Sequence, residues 1–426
     1  MKPGTICIEK GASEPSRENF LIETSRRTLV SRLEKLQHGE LILNDGPEQY
    51  VFGRQDEVCS HTVTVTVSNR DFYLNMLVNG ALGSGESYIN GYWQCDNLTG
   101  LVELFLCNRE HISKIGPGLK YLVQPLRLLQ RFMHRNTLRG SRRNIEAHYD
   151  LGNDLFGLFL DDTMMYSCGI FHDQHASLQD ASEAKLARIC EKLQLSPADH
   201  VLEIGTGWGG FALYAAKHHG CRVTTTTISR QQYEYARDRV ISAGLEDLIT
   251  ILFDDYRELQ GQYDKLVSIE MIEAVGHRYF DTYFRKCNEL LKPDGMMLLQ
   301  SITIADQRYP QMKKSTDFIQ RYIFPGGCLP SVSVLGDAIA RKTDMRIFHL
   351  EDIGPHYATT LKKWRERFFA NIEQVRELGY PERFIRMWEY YLCYCEGGFR
   401  QQSIGTVQLL LTKPKALRNP LASTDY

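Results

Sequence analysis

The stretch VLEIGTGWGG (201–210) carries an apolar strand into a turn with four glycines. Gly205, Gly207 and Gly210 satisfy G-x-G-x-x-G, the spacing of a dinucleotide loop. Glu203, Gly205, Gly207 and Gly209 equally satisfy E-x-G-x-G-x-G, a loop that takes S-adenosylmethionine. Both ligands need backbone to approach closely at the mouth of a βα turn, so these ten residues leave the choice open. Features further along favour the methyl donor. A dinucleotide site wants an acid about twenty residues on, and RVTTTTISRQQ (222–232) holds none; Gln232 is a neutral hydrogen-bonding substitute there. FDDY puts Asp254 and Asp255 at the end of the next strand, where a carboxylate meets an adenine amino group. LLKPDG (290–295) is the turn class I methyltransferases carry ahead of strand five. Glu273, in EMIEAVG, follows an apolar strand at the sheet edge where such folds bind ligands; its plainer reading is an acid on a helix N-terminus.

The elements that must hold these groups alternate. Helix SEAKLARICEKLQL precedes strand HVLEIG, and helix GGFALYAAKHHG precedes strand CRVTTTTIS. Helix RQQYEYARDRVISAG follows, then strands LITILFDD and YDKLVSIE, helix RYFDTYFRKCNELLKPDG and strand MMLLQSITI. Short connections between alternating strands and helices predict an α/β, doubly wound Rossmann-like parallel sheet. The stretch 304–343, with DFIQRYIFPGGCLPSVSVLGDAIA, is too hydrophobic for a plain loop, and the chain closes with helices and a strand at 404–412. Upstream, Leu29, Leu33 and Leu36 mark a helix face over 25–37, and HTVTVTVS alternates as a half-buried strand. These belong to a smaller α+β unit. The expected organisation is a flexible 1–24, an N-terminal domain 25–110, a basic linker helix 111–147, a catalytic domain 148–415 and a tail 416–426.

Composition bounds the class. The 426 residues are 43% hydrophobic and 24% charged with a net charge of −2, which suits a folded protein with a core and argues against a nucleic-acid partner. The 11 cysteines include no C-x-x-C pair, so reduced thiols in the cytoplasm are expected and no metal. No apolar run is long enough to span a bilayer. Between 111 and 147, Lys114, Lys120, Arg127, Arg131, Arg135, Arg139, Arg142 and Arg143 face one acid, Glu146, with apolar residues interleaved. This is a solvated linker or a helix lying on an anionic membrane, each basic residue adding about 1 kcal/mol.

The segments AHYDLGNDLFGLFLDDTMMYSCGIF (147–171), LEIGTGWGG, TISRQQ, SIEMIEAVG, YIFPGGCLPS, PHYATTL and YYLCYCEGGFR, with GESYINGYW upstream, occur in the order seen in one family. The chain resembles the cyclopropane-fatty-acyl-phospholipid synthases over about residues 25–415. The resemblance implies addition of a methylene from S-adenosylmethionine across the cis double bond of a membrane phospholipid's acyl chain. It assigns Tyr166, Ser167, Gly205, Gly207, Thr227, Ile228, Gln232, Asp255 and Tyr256 to the methyl donor, and Cys168, Glu273, Tyr357 and Cys395 to the surroundings of a bound bicarbonate that acts as base. An alkene is a weak nucleophile, so the sulfonium must be held in line with the π bond. The resulting carbocation must survive until a base removes a proton, and Tyr322, Phe324, Tyr390 and Phe399 are aromatic candidates to shield it.

Two departures bear on that chemistry. Where the family has histidine in strand five this chain has Gln300, and EHVG is here EAVG with Ala274. A glutamine hydrogen-bonds an anion but relays no proton. The cation can therefore end as a cyclopropane, the expected outcome, as an exomethylene branch, or as a methyl branch after reduction by a flavoprotein partner. Rival readings are a small-molecule N-methyltransferase and a lipid-binding protein without chemistry. The expected location is the cytoplasm, peripheral to the inner face of the membrane; the sequence leaves the oligomeric state open, a homodimer among the options.

Overall fold

The computed structural model describes residues 17–113 and 151–417. Residues 1–16 and the basic segment from 114 onward, with His134 and His148, lie outside the described residues, as do 418–426.

The smaller unit, described over 17–96 and 108–113, holds a four-stranded sheet of order β2-β1-β3-β4: β1 (Gly39–Asp45), β2 (Glu48–Arg54), β3 (Thr62–Val67) and β4 (Trp93–Cys95). The alternation of HTVTVTVS appears as burial of Val63, Val65 and Val67. A helix spans Arg17–Leu33, so part of the stretch expected to be flexible (1–24) is helical. The cause is Arg26. Its Nε donates to Asp45 Oδ2 at 2.9 Å and its Nη2 to Tyr50 OH at 2.6 Å, and it pairs with Glu23 and Glu48. Asp45, 3% exposed, also accepts from Tyr73 OH and Arg70 Nε.

The larger unit, described over 97–107 and 151–417, contains a seven-stranded sheet of order β10-β11-β9-β8-β5-β6-β7. Its strands are β5 (His200–Ile204), β6 (Arg222–Thr226), β7 (Ile249–Leu252), β8 (Tyr263–Ile269), β9 (Leu291–Ile304), β10 (Arg346–Asp352) and β11 (Ile404–Thr412). The five strands β5 to β9 are mutually parallel, while β11 runs antiparallel to both β9 and β10. Sequence patterning supplies no β10: RIFHLED pairs through its backbone as an edge strand with Ile347, Phe348 and Leu350 exposed, so it lacks a clean apolar signal. The boundary expected at 110 also differs. Helix Leu98–Cys107 belongs to the larger unit because Thr99 bonds to Glu396 of helix Glu382–Arg400 and Glu103 to Gln401 just past its end.

Central strands are buried on both faces, so alternation sorts their residues between two cores. Leu266, Leu299, Leu409 and Leu411 pack with Phe280, Phe284 and Leu335 on one side. Val267, Leu298 and Leu410 pack with Leu186, Ile189 and Phe211 on the other. The helix Leu178–Leu193 that covers the second face begins at a capping box, Ser177 accepting from Asp180 N and Asp180 reaching back to Ser177 N.

Replacing Arg26 with alanine removes one partner of a buried carboxylate that keeps two others. We expect a loss of about 2 kcal/mol, below the ~3–5 kcal/mol of a pair broken outright, read from denaturant midpoints of the full chain; an unchanged midpoint would show that Arg70 and Tyr73 hold Asp45 alone.

Candidate active site

The glycine turn leaves β5 with Gly205, Gly207 and Gly209 at φ of +103°, +53° and +87°. Side chains disfavour that region, which explains the glycines. Gly205 N and Thr206 N both donate to Thr226 O, pinning the loop to the end of β6. Gly210 is needed for room: a Cβ there would lie 2.6 Å from both Met165 Sδ and Thr163 O. That close approach brings Tyr166 and Ser167 toward the turn.

Glu203 lies in β5, 3% exposed, and accepts from Thr225 Oγ1 at 2.6 Å; burial pushes its carboxyl up to about 8. It faces the strand next door. Thr227 Oγ1 donates to Gln232 Oε1 at 2.9 Å, which leaves the Gln232 amide NH2 to face a ligand. Ile228 lies between Thr227 and the N-cap Ser229 of helix Arg230–Ala243. Asp255, past the end of β7, has Oδ1 occupied by Arg257 N and Nε while Oδ2 accepts Nη2 at 2.6 Å, so a lone pair remains on Oδ2. Tyr256 is edge-to-face with Tyr283, and burial raises its phenol well above the ordinary range. These groups share the carboxyl edge of β5, β6 and β7.

At the carboxyl end of β8 stands a residue that sequence reasoning missed. Glu270 has φ +49°, the left-handed region, in a chain with only a few such non-glycine residues among those described. Its Oε1 accepts from Cys168 N at 2.9 Å and Gln300 Nε2 at 2.8 Å, and its Oε2 from Tyr357 OH at 2.6 Å. Desolvation raises its carboxyl above the ordinary range, against the pull of those donors and of the Lys185 ammonium. Lys185 Nζ donates to Ser167 Oγ at 2.8 Å, and burial lowers its ammonium to about 8. The signal was present in SIEMIEAVG as a second carboxylate three residues before Glu273, alongside the loss of histidine at position 300.

The bicarbonate expected here does not fit. Cys168, Gln300 and Tyr357 spend their donors on Glu270. Glu273 uses Oε1 to accept from Ser301 Oγ at 2.9 Å and Ile302 N at 2.5 Å, while its Oε2 is buried with no hydrogen-bond partner. Burial, and then the Glu270 charge, push Glu273 up to about 8. Three donors favour the charge on Glu270, whereas burial and that charge favour the proton on Glu273.

Cys168 is fully buried, its thiol driven far up by burial and by Glu270, so it contributes a backbone N–H rather than a thiolate. Cys395 lies in helix Glu382–Arg400. Its thiol is raised by burial and by the charge of Asp317, which belongs to the 304–343 insertion. His356 is structural: Nδ1 accepts from Phe171 N at 3.3 Å and burial lowers its pKa.

Aromatic rings close over the site. Tyr166 shares a 2.8 Å hydrogen bond with Tyr391 and lies 5.1 Å from Trp364, 5.2 Å from Phe156 and 6.4 Å from Phe324, between ring centroids. Phe399 stacks on Tyr357 at 4.5 Å. Of the four rings proposed from sequence, Tyr322 and Tyr390 instead gather around Phe318. Trp364, Phe156 and Tyr391 were missed because helical aromatic spacing reads equally as core. The insertion, with a π-helical turn at Ile319–Ile323, is tied down where Cys328 N donates to Glu273 O at 2.8 Å.

A doubly wound sheet with this glycine turn, and its likeness to solved cyclopropane synthases, define an S-adenosylmethionine-dependent methyltransferase of class I. Residues 136–409 match the family described as mycolic acid cyclopropane synthetase, and the chain belongs to that family. It is 39% identical over 343 residues to the tuberculostearic acid methyltransferase UfaA1 of Mycobacterium tuberculosis, covering 79% of each chain. It is 39% identical over 355 residues to the cyclopropane-fatty-acyl-phospholipid synthase of Escherichia coli, covering 82% of this chain and 87% of that one. Among solved structures it resembles the mycolic acid cyclopropane synthase CmaA1 complexed with SAH and CTAB, at 31% identity and a TM-score of 0.60, over 64% of this chain and 98% of the other.

The Glu273 assignment has a sign that can be measured. Unfolded, its carboxyl loses a proton near 4.5; folded, it holds that proton to about 8. Between those values the native state binds more protons, so this group lowers stability as pH rises. Glu273→Gln removes the effect, and its thermal midpoint should gain on the natural protein's from pH 5 to pH 8; parallel curves would contradict the assignment.

Proposed function

We propose that the protein transfers a one-carbon unit from S-adenosylmethionine to the cis double bond of an unsaturated phospholipid acyl chain and closes it to a cyclopropane, with Glu270 as the base. The observation that carries this is the Glu270 carboxylate, held by Cys168 N, Gln300 and Tyr357 in the place the family resemblance gave to bicarbonate. The methyl donor supplies an electrophilic carbon when bound. Tyr166, Ser167, the backbone of the 205–209 turn, Thr227, Ile228, Gln232, Asp255 and Tyr256 are the groups that would hold it.

The alkene π pair forms the new C–C bond as the C–S bond breaks, leaving a cation on the neighbouring alkene carbon. Ring faces of Tyr166, Phe324, Trp364 and Tyr391 favour that charge over water, which would quench it. Glu270 accepts a proton from the new methyl, and the released C–H pair closes the ring. A carboxylate fixed at three points needs no reorganisation to do this. Glu273, protonated, keeps a second anion away from the base.

No helix among the described residues is long and apolar enough to cross a membrane. We infer that the acyl chain is reached from an anionic membrane surface, with the basic 111–147 segment supplying attraction. A methyl- or methylene-branched product is the second reading, favoured by the equal identity to a tuberculostearic acid methyltransferase. A flavoprotein reductase is needed only for the methyl branch.

Expression in a bacterium lacking its own synthase, followed by mass analysis of fatty-acid methyl esters before and after hydrogenation, separates the products. A ring-bearing acid one methylene heavier than its monounsaturated parent is expected, and a branched acid would overturn the cyclopropane. Glu270→Gln should bind the donor normally yet yield less than about a hundredth of the product, within the range of a lost general base; near-normal yield would overturn the role of Glu270.

A further inference from the structure

Behind Glu270 lies a row of polar side chains in an otherwise apolar sheet. The register pairs Glu351 of β10 with Gln408 of β11, Gln408 with Gln300 of β9, and Gln300 with Ile269 at the end of β8, one residue before Glu270. Gln300 and Gln408 are 0% exposed and stand between fully buried Leu298, Leu299, Leu409 and Leu410. Lys192, also fully buried, comes down from helix Leu178–Leu193 onto the same face. Burying two amides and an ammonium in a sheet core is costly unless every group is satisfied, and here each link is made. Lys192 pairs with Glu351, which also takes Arg188 Nη1 at 2.6 Å. Lys192 Nζ donates to Gln408 Oε1 at 2.7 Å, Gln408 Nε2 donates to Gln300 Oε1 at 3.0 Å, and Gln300 Nε2 donates to Glu270 Oε1 at 2.8 Å.

The direction of this chain follows from its ends. An ammonium only donates and an ionised carboxylate only accepts, whereas each glutamine has one end of each kind. Lys192 therefore fixes which end of Gln408 faces it, Gln408 fixes Gln300, and Gln300 has only its NH2 left for Glu270. We propose that Lys192 and Gln408 are positioning residues for the reaction, which hold the Gln300 amide in its donor orientation and so keep the Glu270 carboxylate ionised as base. Unlike a histidine at position 300, the amide does not titrate, so the base keeps this donor across the working pH range. The role rests on Glu270 being the base. The other titratable groups facing Glu270 are Tyr357, Lys185, Cys168 and Glu273, and none belongs to the row.

Gln408→Glu separates this role from a structural one. It preserves shape and gives Lys192 a second carboxylate beside Glu351, so a residue needed only for packing would tolerate it. A carboxylate cannot donate to Gln300, so the Gln300 amide must turn its NH2 toward position 408 and its oxygen toward Glu270. The expected result is a fall in kcat of about tenfold, the size of one hydrogen bond, with KM for S-adenosylmethionine unchanged. The acidic limb of the kcat profile should move to higher pH, because an oxygen facing the carboxylate opposes its ionisation. Gln408→Leu should lower kcat with a smaller movement of the limb, and Lys192→Met carries the same test should Gln408→Glu not fold. Glu270→Gln is measured alongside. Turnover by that variant overturns the base and the orienting role together. Loss of turnover there, with the limb unmoved in the folded row variants, overturns the orienting role alone.

Discussion

One carboxylate, half-buried at the end of β8 in a left-handed conformation, constrains the rest of the catalytic unit. Glu270 bears two penalties, a backbone region costing of the order of 1–3 kcal/mol for a non-glycine residue and the desolvation of a charge. Neither is tolerable without specific partners, and the partners come from separate parts of the chain. Cys168 N arrives from the loop packed against the glycine turn, Gln300 from β9, and Tyr357 from helix Gly354–Ala370. The close contact of Gly210 with Thr163 and Met165, the stacking of Phe399 on Tyr357 and the protonation of Glu273 all act on one of these three or on the charge itself. A carboxylate built this way is held in one orientation by its partners.

The same constraint explains the sheet's mixed character. In an ordinary doubly wound sheet the β9–β11 region is apolar on both faces, as Leu298, Leu299, Leu409 and Leu410 still are. The row from Lys192 through Gln408 to Gln300 interrupts that core on one face, and its hydrogen bonds all point the same way. On the aromatic side, Tyr166, Trp364, Tyr391 and Phe324 come from the loop before Lys185, two long C-terminal helices and the insertion. The insertion reaches Glu273 through Cys328. The carboxylate pair and the aromatic rings are thus coupled through backbone rather than assembled independently.

Much of the framework was legible in the sequence, for local reasons. The glycine turn declares itself because positive φ selects glycine, and β5 to β9 because strands buried on both faces read as apolar runs between short connections. The edge strand β10 was missed because half its side chains face water and pairing is made by backbone. The anchoring of the first helix was not legible because Arg26 reaches residues 19 to 24 positions away. In the site, Glu273, Tyr357, Cys168 and Gln300 do converge, but the anion they surround is the chain's own. Glu270 escaped because a carboxylate after a strand is common at surfaces, and only tertiary structure shows three donors aimed at it.

The account stands on Glu270 supplying internally the anion that the family resemblance assigned to bicarbonate. The most direct measurement is turnover in carbon-dioxide-depleted buffer titrated with bicarbonate, for the natural protein and for Glu270→Gly, which frees Cys168 N, Gln300 and Tyr357 for an outside anion. The account predicts a flat response for the natural protein, and for Glu270→Gly a near-zero rate that rises with added bicarbonate. A natural enzyme that loses activity on depletion and regains it with bicarbonate would contradict the account.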